Sequence, residues 1–314
     1  MKRFHRSALA LALCAALLLA FPAAAKTAET DVFYPQLSAN AKSIYDAFHE
    51  PLVLECFRTG DSFTITFNGP FDDAHATAMA LADAKTVAFA AFELDHPEMF
   101  WLQGNNVNIN GDSSRLVMTV TLSFQYNWDV GGRSVSADAA AVTEAVRHLA
   151  EEARTRGGVY EQLLYVHDWL TLNNKYNSQA MADNGASNRL PWTPLSALTD
   201  VDDPVCEGYA SAFKLVCDEL GIPCLYVVGY GWASGAWGRH AWNMVKLDGR
   251  WYAVDATYDD PTGSSASGTV SGIERHEYFL VGAKTVADGY CFSDTHYPTG
   301  EKLEGITFTY PDLA

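Results

Sequence analysis

Basic residues are scarce in this chain: 21 Lys and Arg stand against 38 Asp and Glu, for a formal net charge of −17. Nucleic acids and anionic membrane surfaces are gripped by clustered Lys and Arg. No such cluster occurs here, which argues against both as blanket partners and leaves a basic protein or peptide open. Beyond the first 25 residues there is no apolar run of 18, so no membrane-spanning helix is expected. No CxxC pair occurs, so neither a structural zinc site nor any other metal or cofactor is expected. Asp259 and Asp260 invite a calcium reading, but nothing assembles the six or so oxygen ligands that calcium takes. Asp-Pro turn chemistry, continued by the Gly/Ser run 263–268, is the expectation there. Internal repeats and heptads are also absent.

The amino terminus carries its own signal. Lys2, Arg3 and Arg6 precede an apolar stretch from Ala8 to Phe21, followed by Pro22-Ala23-Ala24-Ala25. That pattern reads as a secretory signal peptide cut after Ala25, making the protein secreted or cell-surface. Cys14 does not make a good lipoprotein site, because Leu13 precedes it where a small residue is wanted. Losing the three basic residues of the leader takes the formal charge from −17 to −20. Cys56, Cys206, Cys217, Cys224 and Cys291 remain, and an odd count in an exported chain leaves at least one free thiol. The other four could form two bridges, for instance Cys217 with Cys224 and Cys56 with Cys291, or simply be buried.

Taken in order, residues 26–135 read as an α+β domain and 136–314 as a second, catalytic domain. In the first, Ala39–Glu50 predicts a short helix and Ser62–Asn68 a half-buried strand. Asp72–Leu94 predicts a longer helix. Arg115–Tyr126 is the clearest strand, with Leu116, Met118, Val120 and Leu122 on one face and Gly131-Gly132 closing it. Ser136–Arg156 is amphipathic, with Val142, Ala145, Val146, Leu149 and Ala153 on one side. A helix over Tyr160–Leu172 places Tyr160, Leu163, Leu164 and His167 together; His167 reads as a satisfied core histidine before a catalytic one. Asn173–Pro194 predicts a long loop whose Tyr176 and Trp192 border the site. Strands are further expected at Cys224–Tyr230, 276–281 and 306–310.

The chemistry concentrates between Val205 and Pro261. Acidic residues and Pro204 precede Cys206, helical spacing follows, and Gly221 with Pro223 supplies the stop. A thiol in a helix's first turn feels the positive end of the dipole, a setting that favours the thiolate. The bland alternative is a buried structural cysteine. AWNMVKL and RWYAVDATY flank Asp248-Gly249, a strong signal for a two-residue type I′ hairpin. Centring the turn there sets Trp242 opposite Asp255 and His240 opposite Thr257, so His240 and Asp255 form a diagonal pair on one face. Ala241, Asn243 and Val245 take the other face. The Gly/Trp loop GWASGAWG would raise an aromatic wall beside the base. A nucleophile, a base and an orienting group are what acyl transfer through a thioester requires.

VCEGYASAFK, LGIPC and GRHAWNMVKLDGRWYAVDATYDDP together resemble the core of the transglutaminase-like superfamily, in particular its bacterial secreted branch, over roughly Val159 to Leu280. The segment DHPEMFWL resembles the region upstream of that core; its aromatics read as packing before groove lining. The resemblance implies a papain-like fold, with Cys on a helix amino terminus packed on an antiparallel sheet carrying His and Asp. It assigns the catalytic roles to Cys206, His240 and Asp255. It implies a thiol enzyme acting on protein or peptide amides, hydrolysis slightly ahead of transfer to an amine. The alternatives are a cross-linking transglutaminase, an acyltransferase using a thioester donor, and a non-catalytic module binding cell-surface peptides. Oligomeric state is not legible.

Overall fold

The computed structural model describes residues 31–124, 133–185, 188–262 and 275–314. Residues 1–25, expected to be a leader, Gly131-Gly132 and the Gly/Ser run 263–268 lie outside the described residues.

The chain begins with α1 (Ala39–Phe48), α2 (Pro51–Thr59), β1 (Phe63–Asn68) and the long α3 (Ala74–Asp95). Asp73 caps α3 by accepting the amide of Ala76 at 2.9 Å. β2 (Leu102–Gly111) and β3 (Arg115–Phe124) complete a three-stranded antiparallel sheet in the order β1-β3-β2. Leu116, Met118, Val120 and Leu122 alternate into the core as the sequence pattern requires. α2 and β2 were not foreseen. The asparagine-rich stretch 105–110 lacks the apolar content of a strand, and β3 supplies the pairing instead.

Burial in this unit centres on Phe48. Its ring lies 5.5 Å from Phe92, 5.7 Å from Phe57, 6.0 Å from Phe63 and 6.2 Å from Phe89, all near edge-on. One aromatic therefore joins α1, α2, β1 and α3. The indole N–H of Trp101 donates to the carbonyl of Phe57 at 2.8 Å, so its polar atom is satisfied inside the core.

The remainder is built on α8. Before it come α4 (Val135–Arg154), α5 (Val159–Asn173) and two five-residue helices, α6 (Ser178–Ala182) and α7 (Pro194–Leu198). The latter two fall in or beside the stretch expected to be loop. On α5, Leu163, Val166, His167 and Leu170 are buried, while Tyr160 points to solvent, correcting the expected face. α8 (Cys206–Leu220) starts after Val205 and ends at Gly221 in the left-handed region, φ 73°. Residues Cys206 and Gly208–Cys217 are buried, so the helix is enclosed nearly all round.

β4 (Cys224–Ala233), β5 (Ala236–Leu247) and β6 (Arg250–Val254) follow, with α9 (Ala256–Asp259) closing the motif. A two-stranded ribbon, β7 (Val286–Ala287) with β8 (Tyr290–Cys291), then α10 (Phe292–Thr295) and β9 (His296–Pro298) lead to the carboxyl end. The main sheet is antiparallel in the order β6-β5-β4-β9. Asp248 and Gly249 take φ 50° and 79°, the left-handed pair that a type I′ turn needs. GWASGAWG is not a loop: β4 and β5 stay paired to Ala233 and Ala236, and only Ser234-Gly235 turn. Residues 276–281 form no strand, only a bridge from Val281 to Ala253. Residues 306–310 are irregular, and Phe308 and Tyr310 instead pack edge-on against Phe33 at 5.4 Å. The five cysteines among the described residues are free thiols; Cys217 and Cys224 form no bridge, and the Cys224 thiol donates to the carbonyl of Leu225 at 3.8 Å.

Replacing Phe48 by Ala should cost about 3–5 kcal/mol, because four aromatic partners lose contact at once. Urea denaturation of wild type and variant measures it; a loss under about 1 kcal/mol would show that the cluster refills the space.

Candidate active site

Cys206 is the first residue of α8, where backbone N–H groups have no partner within the helix. The fit of α8 to its surroundings is tight. A Cβ on Gly208 would lie 2.7 Å from the carbonyl oxygen of Pro191 and 2.8 Å from Cβ of Pro204. From the sheet, the Asn243 amide donates to the carbonyls of Ala210 at 2.9 Å and Leu225 at 3.3 Å. These two bonds tie β5 to both α8 and β4, fixing the helix carrying Cys206 against the strand carrying His240.

His240 Nε2 donates to Asp255 Oδ2 at 2.6 Å, and the imidazole lines one cavity with Cys206. With Nε2 committed to the carboxylate, Nδ1 is the ring nitrogen left for sulfur. Trp242 and Tyr258 stack on the imidazole, with ring centroids at 5.7 and 4.5 Å. The structure thus brings Cys206, His240 and Asp255 together, by a different route from the expected cross-strand diagonal. β6 ends at Val254, and Asp255 caps the one-turn helix α9, its Oδ1 accepting the amides of Thr257 and Tyr258 at 3.0 and 3.1 Å. Capping chemistry turns the carboxylate towards His240 where a continued strand would have left a gap.

The sequence reading missed His296. It is fully buried on β9 and its Nε2 lies 3.0 Å from the same Asp255 Oδ2, while Thr295 Oγ1 sits 3.0 Å from its Nδ1. The ring of Phe292 stacks on it at 3.9 Å. No motif announces this residue; only the pairing of β9 beside β4 delivers it.

Electrostatics follow from these contacts. Burial alone would push the His240 imidazolium towards losing its proton, but the charge of Asp255 and the hydrogen bond His240 donates to it, with a smaller part from Cys206, lift its pKa to about 10. Burial likewise opposes ionisation of Asp255, and the charge of His240 with hydrogen bonds from His240 and His296 outweighs it, holding the carboxyl well below its usual range. Burial dominates at His296 and depresses its pKa despite Asp255.

A cavity of about 540 Å³ opens over Cys206 and His240. Phe92, Glu93 and Phe100 of the first unit line it together with Trp192, Tyr226 and Lys302. Trp192 borders the site as expected, and Tyr176 lies close enough to feel the charges of Cys206 and Asp255. The expected wall of Trp232 and Trp237 does not form: the two rings meet edge-on at 5.6 Å and neither lines this cavity. Phe100 does line it, whereas Trp101 is core. Beside Cys206, Glu207 is held by Lys302 at 2.7 Å and by the Tyr226 hydroxyl at 3.2 Å. Glu93 Oε2 is buried without a hydrogen-bond partner. Burial raises its pKa to about 7, with Lys302 opposing and Glu207 reinforcing the rise. His167 is fully buried between Asp168 and Asp259, a satisfied core histidine as the sequence suggested. Asp259 and Asp260 are buried too; Asp260 makes the expected turn bonds to Thr262 and accepts from the Tyr209 hydroxyl.

Residues 147–256 match the model of the transglutaminase-like superfamily. The chain is 26% identical over 200 residues to the kyphoscoliosis peptidase of Homo sapiens, covering 61% of this chain and 28% of that protein. It is 25% identical over 155 residues to the Lim and transglutaminase domain protein ltd-1 of Caenorhabditis elegans, covering 46% and 20%. The chain therefore spans between a fifth and somewhat over a quarter of these relatives. A crystallised TGase superimposes with a TM-score of 0.35 at 13% identity, over 77% of this chain and 63% of that one.

Two outcomes follow from the geometry. A methyl group at Gly231 would meet the Tyr258 hydroxyl at 2.6 Å and His240 Cδ2 at 2.9 Å, whereas one at Gly238 meets nothing within 4 Å. Gly231→Ala should therefore slow iodoacetamide alkylation of Cys206 at pH 6 by about tenfold or more, and Gly238→Ala should not; equal rates would show that His240 has no part in it. A carboxyl raised from about 4.3 to about 7 destabilises the fold only where it is ionised in the unfolded chain, so the penalty grows from pH 4.3 and is complete above 7. Glu93→Gln should raise Tm at pH 8 and leave it nearly unchanged at pH 4.5 in thermal unfolding; a gain equal at both pH values would contradict the burial argument.

Proposed function

With residues 147–256 forming a transglutaminase-like core, we propose that this chain is a thiol enzyme acting on protein or peptide amides through a thioester at Cys206. The carrying observation is that Cys206, at a helix start, lines one cavity with a buried imidazole whose Nε2 is 2.6 Å from a buried carboxylate. In this reading the Cys206 thiolate attacks the amide carbonyl and the Cys206 backbone N–H supports the oxyanion at the helix start. The His240 imidazolium gives its proton to the leaving amine as the C–N bond breaks. Asp255 keeps Nε2–H in place and stabilises the charged ring. Water, deprotonated by His240, then adds to the thioester, releasing a carboxylic acid and restoring the thiol.

Hydrolysis is placed ahead of transfer to a lysine amine because the human relative is named a peptidase. The first unit, 26–135, we read as one wall of the substrate cleft, since Phe92, Glu93 and Phe100 line the cavity over Cys206. The charged and apolar leader favours export and action on extracellular or surface proteins. No helix among the described residues is long and apolar enough to cross a membrane.

The test needs no known substrate to begin. Alkylation of Cys206 by iodoacetamide, followed by peptide mass spectrometry, should stay fast below pH 7 and fall at least about tenfold in His240→Ala, which loses the cationic partner. A proteome-derived peptide library should then show new amino termini, or Gln deamidation, that vanish in Cys206→Ala. Lysine–glutamine links would move the assignment to transfer. Alkylation indifferent to His240, with no product of any kind, would overturn the thiol chemistry and leave a binding module.

A further inference from the structure

α9 carries a buried carboxylate at each end, and the proposed thiol chemistry uses only Asp255. The other, Asp259, faces a second cluster. Its Oδ2 lies 3.2 Å from His167 Nε2, and it also accepts the amides of Glu277 and Tyr278 at 3.0 Å. On the opposite edge of the His167 ring, Nδ1 is 3.2 Å from Asp168 Oδ1. His276 Nε2 reaches that same oxygen at 2.7 Å.

We propose that His167, Asp168 and His276 bind one divalent transition-metal ion of the zinc class, which pins the segment at 276–278 to α5. The three ligand atoms lie within 4.8 Å of one another. Zinc held at about 2.0–2.1 Å by nitrogen and oxygen in a tetrahedron sets its ligands roughly 3.3 Å apart, against 3.2 and 2.7 Å from the two imidazoles to the Asp168 oxygen and at most 4.8 Å between any two of the ligand atoms. Two imidazoles and a carboxylate are a donor set for zinc and its first-row neighbours rather than for magnesium or calcium, which take oxygen.

The surroundings supply what such sites need. Asp259, 0% exposed and anchored by backbone amides, is placed to hold the far N–H of a metal-binding histidine, so that the Nδ1 lone pair now facing Asp168 can turn to the ion. His167 is fully buried, while the side chains of His276 and Asp168 are 37% and 21% exposed, giving an entry path and room for a water as fourth ligand. The His167 and His276 rings are 5.6 Å apart and tilted by 49°, converging on the carboxylate rather than stacking. The site is separate from the thiol chemistry but bears on it mechanically: the Asp255 amide donates to the carbonyl of Tyr278 at 3.0 Å, in the segment the ion would pin.

The cysteine-based motif that sequence reading sought is not the route to this site. His167 and Asp168 share a helix, and His276 arrives only through the fold.

The experiment is titration of the full chain, as Cys206→Ala to remove the reactive thiol, with Zn²⁺ by calorimetry and with Co²⁺ by visible absorption. One ion per chain is expected, with Co²⁺ bands of four- or five-coordinate nitrogen and oxygen ligation, and Tm rising with Zn²⁺ concentration. His276→Ala, a change at the surface, should weaken binding at least about tenfold, and Asp259→Asn by about 10–100-fold as a supporting carboxylate. No saturable binding would overturn the proposal, and so would binding unchanged in His276→Ala, which would locate the ion elsewhere, at His240, Asp255 and His296 for instance. A His276→Ala protein with the wild-type Tm in chelator and weakened Zn²⁺ binding would separate ligand loss from misfolding and support the site.

Discussion

The Asp255 carboxylate is the constraint on which the candidate site rests. A buried charge costs several kcal/mol unless its lone pairs are filled and a counter-charge is near. Asp255 is fully buried and receives four hydrogen bonds: two from the amides of its own one-turn helix, one from His240 and one from His296. Its amide is committed as well, to Tyr278. The residue therefore has no freedom to turn, and neither has the ring of His240, which is stacked between Trp242 and Tyr258. Preorganisation of this kind is what a base that must first hold and then release a proton requires, because its geometry need not be rebuilt during reaction. The second histidine makes the carboxylate's task compatible with burial: it fills a lone pair on the oxygen facing His240 without bringing a second positive charge, since burial keeps its own pKa low.

The helix that presents Cys206 is immobilised by similar means. Eleven of its fifteen residues are buried, including Lys214, whose ammonium is neutralised by Asp218 one turn on at 2.7 Å. At the amino-terminal end, Gly208 is where the chain from Pro191 to Pro204 crosses too closely for any side chain. At the middle, Asn243 binds the helix carbonyl at Ala210 while it also holds β4. A strand residue thus specifies the helix's height over the sheet, and that height sets the distance between sulfur and imidazole.

Much of this was legible beforehand, and the reasons differ by residue. Asp248-Gly249 announces its turn because few other dipeptides tolerate two left-handed residues in succession, and the register of β5 against β6 follows from that one turn. Gly221 announced the end of α8 on the same grounds. What stayed hidden was non-local. His296 comes 41 residues after the carboxylate it shares and lies on a three-residue strand with no pattern of its own. β2 offers only Leu102, Val107 and Ile109 to the core among polar and glycine residues, and the pairing with β3 completes it. The tryptophans at 232 and 237 misled because glycine-rich composition was read as a loop, while the ladder from Cys224 to Ala233 continues through those glycines. Capping at Asp255 also escaped the periodicity argument, which sees only strands and long helices; a four-residue helix has too few positions to show a period.

Net charge is the property that says least about the site, and the cavity shows why. The chain as a whole is strongly acidic at −17, yet its cleft beside Cys206 draws on Arg189, Arg239, Lys302 and His240 as well as Glu93 and Glu207. Lys302 and Glu207 neutralise each other at 2.7 Å, and Glu93 stays largely protonated below about pH 7. Local cations therefore outnumber ionised acids where the sulfur sits, while the acids that set the net charge lie mostly elsewhere on the surface and are screened within about 8–10 Å at physiological salt. The Cys206 sulfur shares its cavity with His240 and with these few charged neighbours, not with the acidic surface at large. In the proposed reaction the acidic exterior keeps the protein soluble, and the cleft sets the chemistry by arranging a local field of the opposite sign.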